Sequence, residues 1–264
     1  MLDLSGKVAV VTGAGSGIGR GISLAFARAG ADVVSCDISA ERAEQTAQQV
    51  RDLGQKSIST EADVRDRKAL EATASAAADQ LGGLDICVAN AGVGSYGGVL
   101  TMTEEEYDTQ IDINQKGVFL TVQACAREMV RQNRGGRIIT IASIAARRAP
   151  VNAFAYSASK AAVRIMTRSW AQELAPFGIT ANSIGPGVIE TPLSGRNGGT
   201  LDEIGLATPA GRTGQPADIG NLACWLASDE SEFVTGTYNV MDGGLTDMGG
   251  YLMAGDYERN VRQL

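Results

Sequence analysis

The sequence predicts an α/β fold: one domain built on a doubly wound parallel sheet of seven strands, with helices on both faces. Seven short runs rich in β-branched residues alternate with longer alanine-rich segments of helical composition. The runs are almost continuously apolar, which is typical of strands buried on both faces. No linker rich in Pro or Ser interrupts the alternation, so one domain over residues 1–264 is predicted.

The seven predicted strands share an apolar core and end in a glycine or a short polar residue. They are KVAVVTG (7–13), ADVVSCD (31–37), KSISTEAD (56–63), LDICVANAG (84–92), GRIITIAS (136–143), ITANSIGPG (179–187) and TYNVMDGG (237–244). In doubly wound sheets the ligands bind at the carboxyl ends of the strands. Functional residues are therefore expected at the ends of these runs.

Helix signals lie between the strands. Thr103 and Glu106 have the spacing of a capping box, which predicts a helix running from there toward Asn133. Pro216 is suited to the first turn of a helix that ends near Ala227.

The glycine-rich segment 193–212 has weak periodicity and is predicted to be a long loop beside the substrate, with a plain surface loop as the alternative. Residues 245–264 form a C-terminal tail too polar for a membrane helix. We interpret the tail as structural, and the alternative is that it docks on a neighbouring subunit or covers the substrate entrance.

Charge and hydropathy argue against two kinds of partner. A formal net charge of −7 is the wrong sign for a nucleic-acid or anionic-membrane surface. No apolar run approaches the ~20 residues that span a bilayer. The first residues, MLDLSGKVAVV, lack the basic start and long apolar core of a signal peptide, so a cytoplasmic protein is expected.

The chain contains no histidine, which excludes Ser-His-Asp and Cys-His catalysis and every His-ligated metal site. Acid–base chemistry must therefore come from Tyr, Lys, Asp, Glu, Ser or water. The cysteines are widely spaced, and we interpret them as buried thiols rather than as disulfides or a metal site. They are Cys36, Cys87, Cys125 and Cys224.

A glycine-rich turn, VVTGAGSGIGRG, follows the first strand and opens a helix, with the spacing TGxxxGxG at residues 12–19. Glycines permit a tight turn and let a pyrophosphate approach the N–H groups of a helix N-terminus. Asp37 ends the second strand, 18 residues beyond Gly19, and is suited to binding both ribose hydroxyls of an adenosine.

The Asp37 carboxylate would repel a 2′-phosphate, which predicts NAD rather than NADP as the cofactor. Arg42 is expected on the following helix, where it would not compensate this charge. Capping of that helix is a second, compatible role for Asp37.

Tyr156 and Lys160 stand four positions apart within residues 153–173, a segment without Gly or Pro, and so project from one helix face. A free tyrosine, with a pKa of ~10, is a poor base near neutrality. A lysine ammonium on the same face favours the phenolate and is expected to move the pKa of Tyr156 toward working pH.

Taken together, the motifs resemble those of the short-chain dehydrogenase/reductase family over residues 5 to about 246. They are TGAGSGIG (12–19), ADV (62–64), NAG (90–92), Asn114, Ser143, YSASK (156–160) and PGVIET (186–191). The resemblance implies a Rossmann fold and hydride transfer between NAD(H) and a secondary alcohol or ketone. It also implies a homotetramer or dimer.

The resemblance further implies a role for each site residue. Tyr156 would be the catalytic acid/base, Lys160 its activator, and Ser143 the partner of the substrate oxygen. Asn114 would hold a proton-relay water. The cofactor-binding set would be Gly13, Ser16, Gly17, Ile18, Gly19, Asp37, Asp63, Val64, Asn90, Ala91, Gly92, Tyr156, Lys160, Pro186, Gly187, Ile189 and Thr191. Within it, Asp63 and Val64 would contact adenine, residues 90–92 the ribose, and Ile189 and Thr191 the nicotinamide carboxamide.

The chain departs from the family pattern in the NSIGPG stretch, where Gly185 is expected to loosen the turn slightly. The substrate pocket is expected to include residues 94–96 and 145–152 besides the 193–212 loop. Asn152 and Ser95 there favour a hydroxylated substrate, a sugar or polyol, although simple secondary alcohols stay open. Two arginines just after Ser143 are candidates either for binding an anionic substrate or for salt bridges between subunits. They are Arg147 and Arg148.

Three other functions would use some of the same residues. Ser157 and Lys160 match the S-x-x-K pattern of serine acyl enzymes, but the companion motifs S-D-N and K-T-G are absent from the sequence. A non-catalytic dinucleotide sensor on the same fold would not need the full catalytic set. A dehydratase or epimerase would leave no net change in NADH.

Overall fold

The seven predicted strands form one parallel sheet in the computed structural model, which describes residues 2–194, 205 and 208–246. They are β1 (Val8–Thr12), β2 (Asp32–Asp37), β3 (Ser57–Glu61), β4 (Ile86–Ala89), β5 (Gly136–Ile141), β6 (Ile179–Pro186) and β7 (Tyr238–Met241). Their order across the sheet is β3-β2-β1-β4-β5-β6-β7, and every neighbouring pair is parallel. The order reverses between β1 and β4, which confirms the doubly wound topology, and each strand lies inside its predicted range.

Helices cover both faces of the sheet. They are α1 (Gly17–Arg28), α2 (Ala40–Asp52), α3 (Arg67–Leu81), α4 (Glu104–Ile111), α5 (Gly117–Gln132), α6 (Phe154–Leu174) and α7 (Pro216–Ala227). One buried apolar cluster joins the sheet to α3, α5 and α6, and the other joins it to α1, α2 and α7. Successive strand residues point to opposite faces, so Val10 packs in the first cluster and Val11 in the second.

The capping box before α4 is confirmed. The Glu106 N–H donates to Thr103 Oγ1 at 3.2 Å, and the Thr103 N–H donates to Glu106 Oε2 at 2.9 Å. The helix continues toward Asn133 as predicted, where a left-handed residue (φ +53°) ends α5. Its path was not predicted, because a π-helical segment, Asp112–Lys116, separates α4 from α5. The helix α7 has its predicted ends.

The cysteines are buried in the strands and helices, as predicted. Burial raises the pKa of the Cys36 thiol in β2 to about 11 and that of Cys224 in α7 to about 12. Both thiols are therefore protonated and inert at neutral pH.

Residues 195–204, 206–207 and 247–264 lie outside the described residues, and they include most of the predicted loop 193–212 and of the tail 245–264. Among the helices that the structure describes, none combines the length and the apolar composition needed to cross a bilayer. The assignment of 1–264 to one domain stays a prediction.

Candidate active site

A cleft of about 460 Å³ opens at the carboxyl ends of the strands and extends across the switch point between β1 and β4. Every predicted site residue lines this cleft except Gly19 and Asn114, which are buried. The fold thus brings together side chains that are up to 178 positions apart, from Gly13 to Thr191.

The turn from β1 into α1 has no room for side chains. Gly13 has a φ of +65°, and a Cβ there would lie 2.9 Å from the Ala91 Cα. A Cβ at Gly19 would lie 2.1 Å from the Gly13 carbonyl oxygen. Among the described residues, the Ser16 side chain makes no hydrogen bond to the first turn of α1. The N–H groups of that turn are therefore left for an anion, which fits a pyrophosphate.

Two side chains that the sequence did not single out hold this turn from behind. Thr46 on α2 donates from Oγ1 to the Ala14 carbonyl at 2.9 Å, and the Arg20 guanidinium donates to the Gly15 carbonyl. Arg20 also donates to the Thr46 hydroxyl at 3.2 Å. Both loop carbonyls are thereby occupied by donors from α1 and α2. No local pattern marks Thr46, because its role depends on how α2 packs.

Asp37 is fixed at the end of β2 by three donors. Its Oδ2 accepts from the Gly15 N–H at 2.9 Å, and its Oδ1 accepts from the Ser39 N–H at 3.0 Å. The third donor corrects an expectation: Arg42 lies on α2 as predicted, but its guanidinium reaches back and pairs with Asp37 Oδ1 at 3.0 Å. A positive charge therefore stands beside the carboxylate. The N-cap of α2 is Ser39, not Asp37.

The predicted adenine-binding residues lie one strand further along the edge of the cleft. Arg65 donates from Nε to both Asp63 oxygens at 3.0 Å. The hydrogen bond with this guanidinium holds the pKa of Asp63 below its ordinary value. Val64 packs against Gly117, where a Cβ would lie 2.6 Å from Val64 Cγ2.

The end of β4 is tied directly to the glycine turn. Asn90 Nδ2 donates to the Thr12 carbonyl at 2.8 Å. Thr12 Oγ1 accepts from the N–H groups of Asn90 at 3.2 Å and of Ala91 at 3.3 Å. These bonds hold the loop after β4 against the glycine turn after β1.

Ser143, Tyr156 and Lys160 meet at the other end of the cleft. Ser143 follows β5, and its Oγ accepts from the Ala145 N–H at 3.1 Å. The Ser143 hydroxyl lies near enough to the Tyr156 phenol to lower its pKa. Lys160 lies one turn further along α6, with Nζ 5.8 Å from the centroid of the Tyr156 ring. The ammonium donates to the Ile141 carbonyl at 2.9 Å.

The ionisation of Tyr156 differs from the expectation. Burial raises the pKa of its phenol above the ordinary value, and the hydrogen bond from Ser143 lowers it only in part. Burial also lowers the pKa of Lys160 to about 8. Desolvation of the phenolate therefore outweighs the lowering of this pKa by Ser143, and the nearby Tyr96 phenol raises the pKa of Tyr156 further.

Asn114 lies inside the π-helical segment and is fully buried. Its Oδ1 accepts from the Val93 N–H at 2.8 Å, and its Nδ2 donates to the Val93 carbonyl at 2.9 Å. A Cβ at Gly92 would lie 3.1 Å from Asn114 Oδ1 and 3.3 Å from Lys160 Nζ. Asn114 Nδ2 also donates to the Ser159 hydroxyl at 3.3 Å. The amide is therefore engaged by Val93 and Ser159, and Asn114 does not line the cleft within the described residues.

The part of the lining contributed by the loops after β4, β5 and β6 is mostly apolar. It includes Val93, Tyr96, Ile144, Ala145, Pro150, Ala153 and Leu193. Within the described lining, Ser95 and Asn152 are not present, so the basis for the expected sugar or polyol is not found there. Arg148 is not present in it either, and its guanidinium donates to the Thr246 carbonyl.

The geometry of Ser157 and Lys160 does not support the serine acyl-enzyme alternative. Ser157 Oγ is buried without a hydrogen-bond partner in the described part of the chain. Lys160 is directed to the Ile141 carbonyl instead.

Known proteins match this fold over nearly its whole length. A family model described as enoyl-(acyl carrier protein) reductase matches residues 13–246. The oxidoreductase UcpA of Salmonella typhimurium is 41% identical over 256 residues, covering 93% of this chain and 97% of that protein. A short-chain type dehydrogenase/reductase from Mycobacterium marinum superposes with a TM-score of 0.88 at 40% identity, over 93% of this chain and 97% of that one. Carveol dehydrogenase from Mycobacterium avium, solved in complex with NAD, has a TM-score of 0.87 at 32% identity, over 93% and 99% of the two chains. With this coverage and identity, the chain belongs to the short-chain dehydrogenase/reductase family of oxidoreductases.

Proposed function

We propose that this protein transfers a hydride between NAD(H) and a secondary alcohol or ketone, with Tyr156 as the acid–base group. The observation that carries the proposal is the meeting of Ser143, Tyr156 and Lys160 in the cleft that also contains the glycine turn and Asp37. The solved relative that holds NAD supports the choice of cofactor.

The residues present fit a dinucleotide along the cleft. The first turn of α1, with residues 13 and 16–19, would bind the pyrophosphate, and Asp37 would bind the adenosine ribose. Asp63 and Val64 would contact the adenine, and Asn90, Ala91 and Gly92 the second ribose. The nicotinamide would lie against Pro186, Gly187, Ile189 and Thr191.

A bound nicotinamide would take the hydride from an alcohol carbon or return it to a carbonyl carbon. Tyr156 moves the matching proton: its phenolate removes the hydroxyl proton in oxidation, and its phenol protonates the oxygen in reduction. Ser143, which lines the same cleft as Tyr156, holds the substrate oxygen and its developing charge. Lys160, with a pKa of about 8, is mostly protonated at neutral pH, and its charge favours the phenolate.

The apolar lining around Ser143 and Tyr156 favours a hydrophobic alcohol or ketone over a sugar or polyol. Burying several hydroxyl groups against side chains that offer no hydrogen bond would be costly. A substrate with a ring or chain beside its carbinol carbon would instead gain from contact with this lining.

The direct test follows absorbance of the reduced nicotinamide while cyclic and linear secondary alcohols, sugars and polyols are screened with NAD⁺. NADH formation with apolar alcohols supports both the reaction and the substrate class. Turnover of polyols alone would contradict the substrate class and leave the reaction standing. Binding of NADH without turnover of any member would favour a sensor or a redox-neutral enzyme of the same fold.

A first prediction concerns cofactor choice. The wild-type chain should prefer NAD⁺ to NADP⁺, and Asp37→Ala should shift the ratio of the two kcat/KM values toward NADP⁺ by about 10- to 100-fold, the size of one charge-assisted hydrogen bond. The reason is that the substitution removes a repelling carboxylate and releases the Arg42 guanidinium, which pairs with it at 3.0 Å.

The matched control for this shift is Asp37→Ala combined with Arg42→Ala. The double variant should lose the gain toward NADP⁺ but keep the weakened use of NAD⁺. An unchanged ratio in the single variant would contradict the proposed place of Asp37 at the adenosine ribose.

A second prediction is that the protein is a homotetramer or dimer. Val99, Leu100 and Val151 are 81%, 95% and 88% exposed in the single chain, which is unusual for apolar side chains unless a neighbouring subunit covers them. Light scattering at micromolar concentration should give a multiple of the 27.4 kDa chain mass. A single-chain mass would contradict the prediction.

A further inference from the structure

Tyr238, the first residue of β7, contacts the candidate catalytic serine from behind. Its hydroxyl donates to the Ser143 backbone carbonyl at 2.6 Å, across 95 positions of sequence. The Ser143 side chain is held separately, because its Oγ accepts from the Ala145 N–H at 3.1 Å. The Ser143 carbonyl also accepts from the Ala146 N–H at 2.9 Å. Ser143 is therefore fixed at two atoms by three donors, and Tyr238, on the edge strand of the sheet, is the one that lies far away in sequence.

Gly185 on β6 leaves the space that the Tyr238 phenol occupies on its way to Ser143. The register pairs Ser183 with Tyr238, so Gly185, two residues further along the same face, lies directly under the side chain. A Cβ at Gly185 would lie 2.3 Å from the Tyr238 hydroxyl oxygen and 2.4 Å from its Cζ. Any larger residue would push the phenol away from Ser143. The sequence predicts that Gly185 loosens this turn slightly. In the structure the glycine instead makes room for the Tyr238 side chain.

The other face of the Tyr238 ring is covered by Arg164 of α6, whose guanidinium carbon lies 4.9 Å from the ring centroid. Burial raises the pKa of Tyr238 to about 12, against the opposing charges of Arg164 and Arg147. Asp242 and Tyr156 are the acidic groups that face it, and both raise the pKa further. The hydroxyl therefore stays protonated, and remains a donor, at any pH where the enzyme works.

We infer that Tyr238 is a positioning residue for the proposed reaction: it fixes the peptide at Ser143, and through it the serine hydroxyl that meets Tyr156 and the substrate oxygen. The inference rests on the proposed function for the role of Ser143, but the contact itself does not. Misplacing a catalytic group by a fraction of an ångström is enough to slow a reaction while binding stays intact.

The first test is Tyr238→Phe, which removes only the hydroxyl. We expect kcat to fall about 10-fold, less than the ~100-fold cost of a 1 Å misplacement. The KM for NAD⁺ should stay within about two-fold, because Tyr238 does not line the cleft within the described residues. The acidic limb of the pH profile for alcohol oxidation should move to higher pH, because the Ser143 hydrogen bond that lowers the pKa of Tyr156 is weakened.

A double-mutant cycle separates positioning from general structure. In a Ser143→Ala background, Tyr238→Phe should cause no further loss of kcat, because the group that it positions is already gone. The same 10-fold loss in both backgrounds would overturn the inference. Tyr107→Phe, on an exposed tyrosine of α4, is the matched control and should retain wild-type kcat.

Hydrogen exchange distinguishes failure of this inference from failure of the proposed function. Tyr238→Phe should speed amide exchange in the peptide that covers residues 142–148 and leave the peptide of α1 unchanged, whether or not any substrate is turned over. Unchanged exchange in residues 142–148 would overturn the inference. Absence of nicotinamide turnover in the wild-type chain would instead refute the proposed function.

Gly185→Ala provides an independent variant, because its methyl group would displace the phenol without removing it. It should reproduce the loss of kcat and the faster exchange of Tyr238→Phe. In a Tyr238→Ala background, where the space is empty, Gly185→Ala should cause no additional loss. Wild-type kcat and exchange in Gly185→Ala would contradict the contact.

Discussion

Replacing Tyr156 with Phe should lower kcat by about 10²–10⁴-fold, the usual contribution of a positioned acid–base group, and leave the affinity for NADH unchanged. The substitution removes the hydroxyl that moves the proton but keeps the ring that packs at the start of α6. Because the chain has no histidine, the side chain that most often serves as a general acid or base cannot replace it. Among the described lining residues, Tyr96 carries a second phenol but has no lysine one turn away on its own segment.

Steady-state rates in both directions and NADH binding by fluorescence would measure these effects. Tyr107→Phe is again the matched control, because it removes the same atom from an exposed ring on α4. Retention of more than about a tenth of wild-type kcat by Tyr156→Phe would exclude Tyr156 as the acid–base group, since such a small loss is below the usual range.

Lys160→Met should abolish turnover without destabilising the folded chain at neutral pH. The pKa of Lys160 falls on folding from its ordinary 10.5 to about 8 because the amine is buried. The difference of 10.5 − 8 corresponds to a cost of about 3 kcal/mol for folding with the charged form. Loss of the hydrogen bond to the Ile141 carbonyl offsets about 1–3 kcal/mol of this, so the net gain lies between zero and about 2 kcal/mol.

The pH dependence gives the sharper measurement. Below pH 8 both the folded and the unfolded wild-type chains carry the charge, so the full cost is present. Between pH 8 and 10.5 the folded chain has released the proton while the unfolded chain still binds it, so wild-type stability rises with pH. The free energy of unfolding of Lys160→Met relative to the wild type should therefore fall by about 3 kcal/mol across this range, so that the variant becomes the less stable of the two at high pH.

Thermal unfolding between pH 6 and 11 would follow this change in relative stability. Lys68→Met, on an exposed lysine of α3, is the control for the loss of a surface charge. A constant difference between Lys160→Met and the wild type at every pH would show that burial of the amine carries no such cost. Full turnover by Lys160→Met would separately remove the lysine from the mechanism.

Most of the fold could be predicted because its signals are local. The strands are recognised by β-branched runs, and the capping box of Thr103 and Glu106 is set by residues three positions apart. The approximate site could be predicted as well, since parallel strands bring their carboxyl ends to one edge of the sheet. Ser143, Tyr156 and the glycine turn meet there, although the chemical role of each residue stays a prediction.

The contacts that sequence reasoning missed are those decided by packing. The reach of Arg42 back to Asp37 depends on the rotation of α2, which no pattern in the helix specifies. The bond from Tyr238 to Ser143 joins the first residue of β7 to the loop after β5, 95 positions apart. The raised pKa of Tyr156 follows from burial, which the spacing of Tyr156 and Lys160 cannot show.

The π-helical segment Asp112–Lys116 means that the helix between β4 and β5 holds one residue more than a regular α-helix would need there. Each residue of an α-helix advances the direction of its side chain by about 100°. Deleting a single residue from this segment would restore regular winding and turn α4 about its axis by that angle relative to α5. Gln110, now buried, would leave its pocket, and Asn114 would no longer meet Val93. The number of residues in this segment is therefore more tightly constrained than their identity, so short insertions or deletions should be more damaging here than most substitutions.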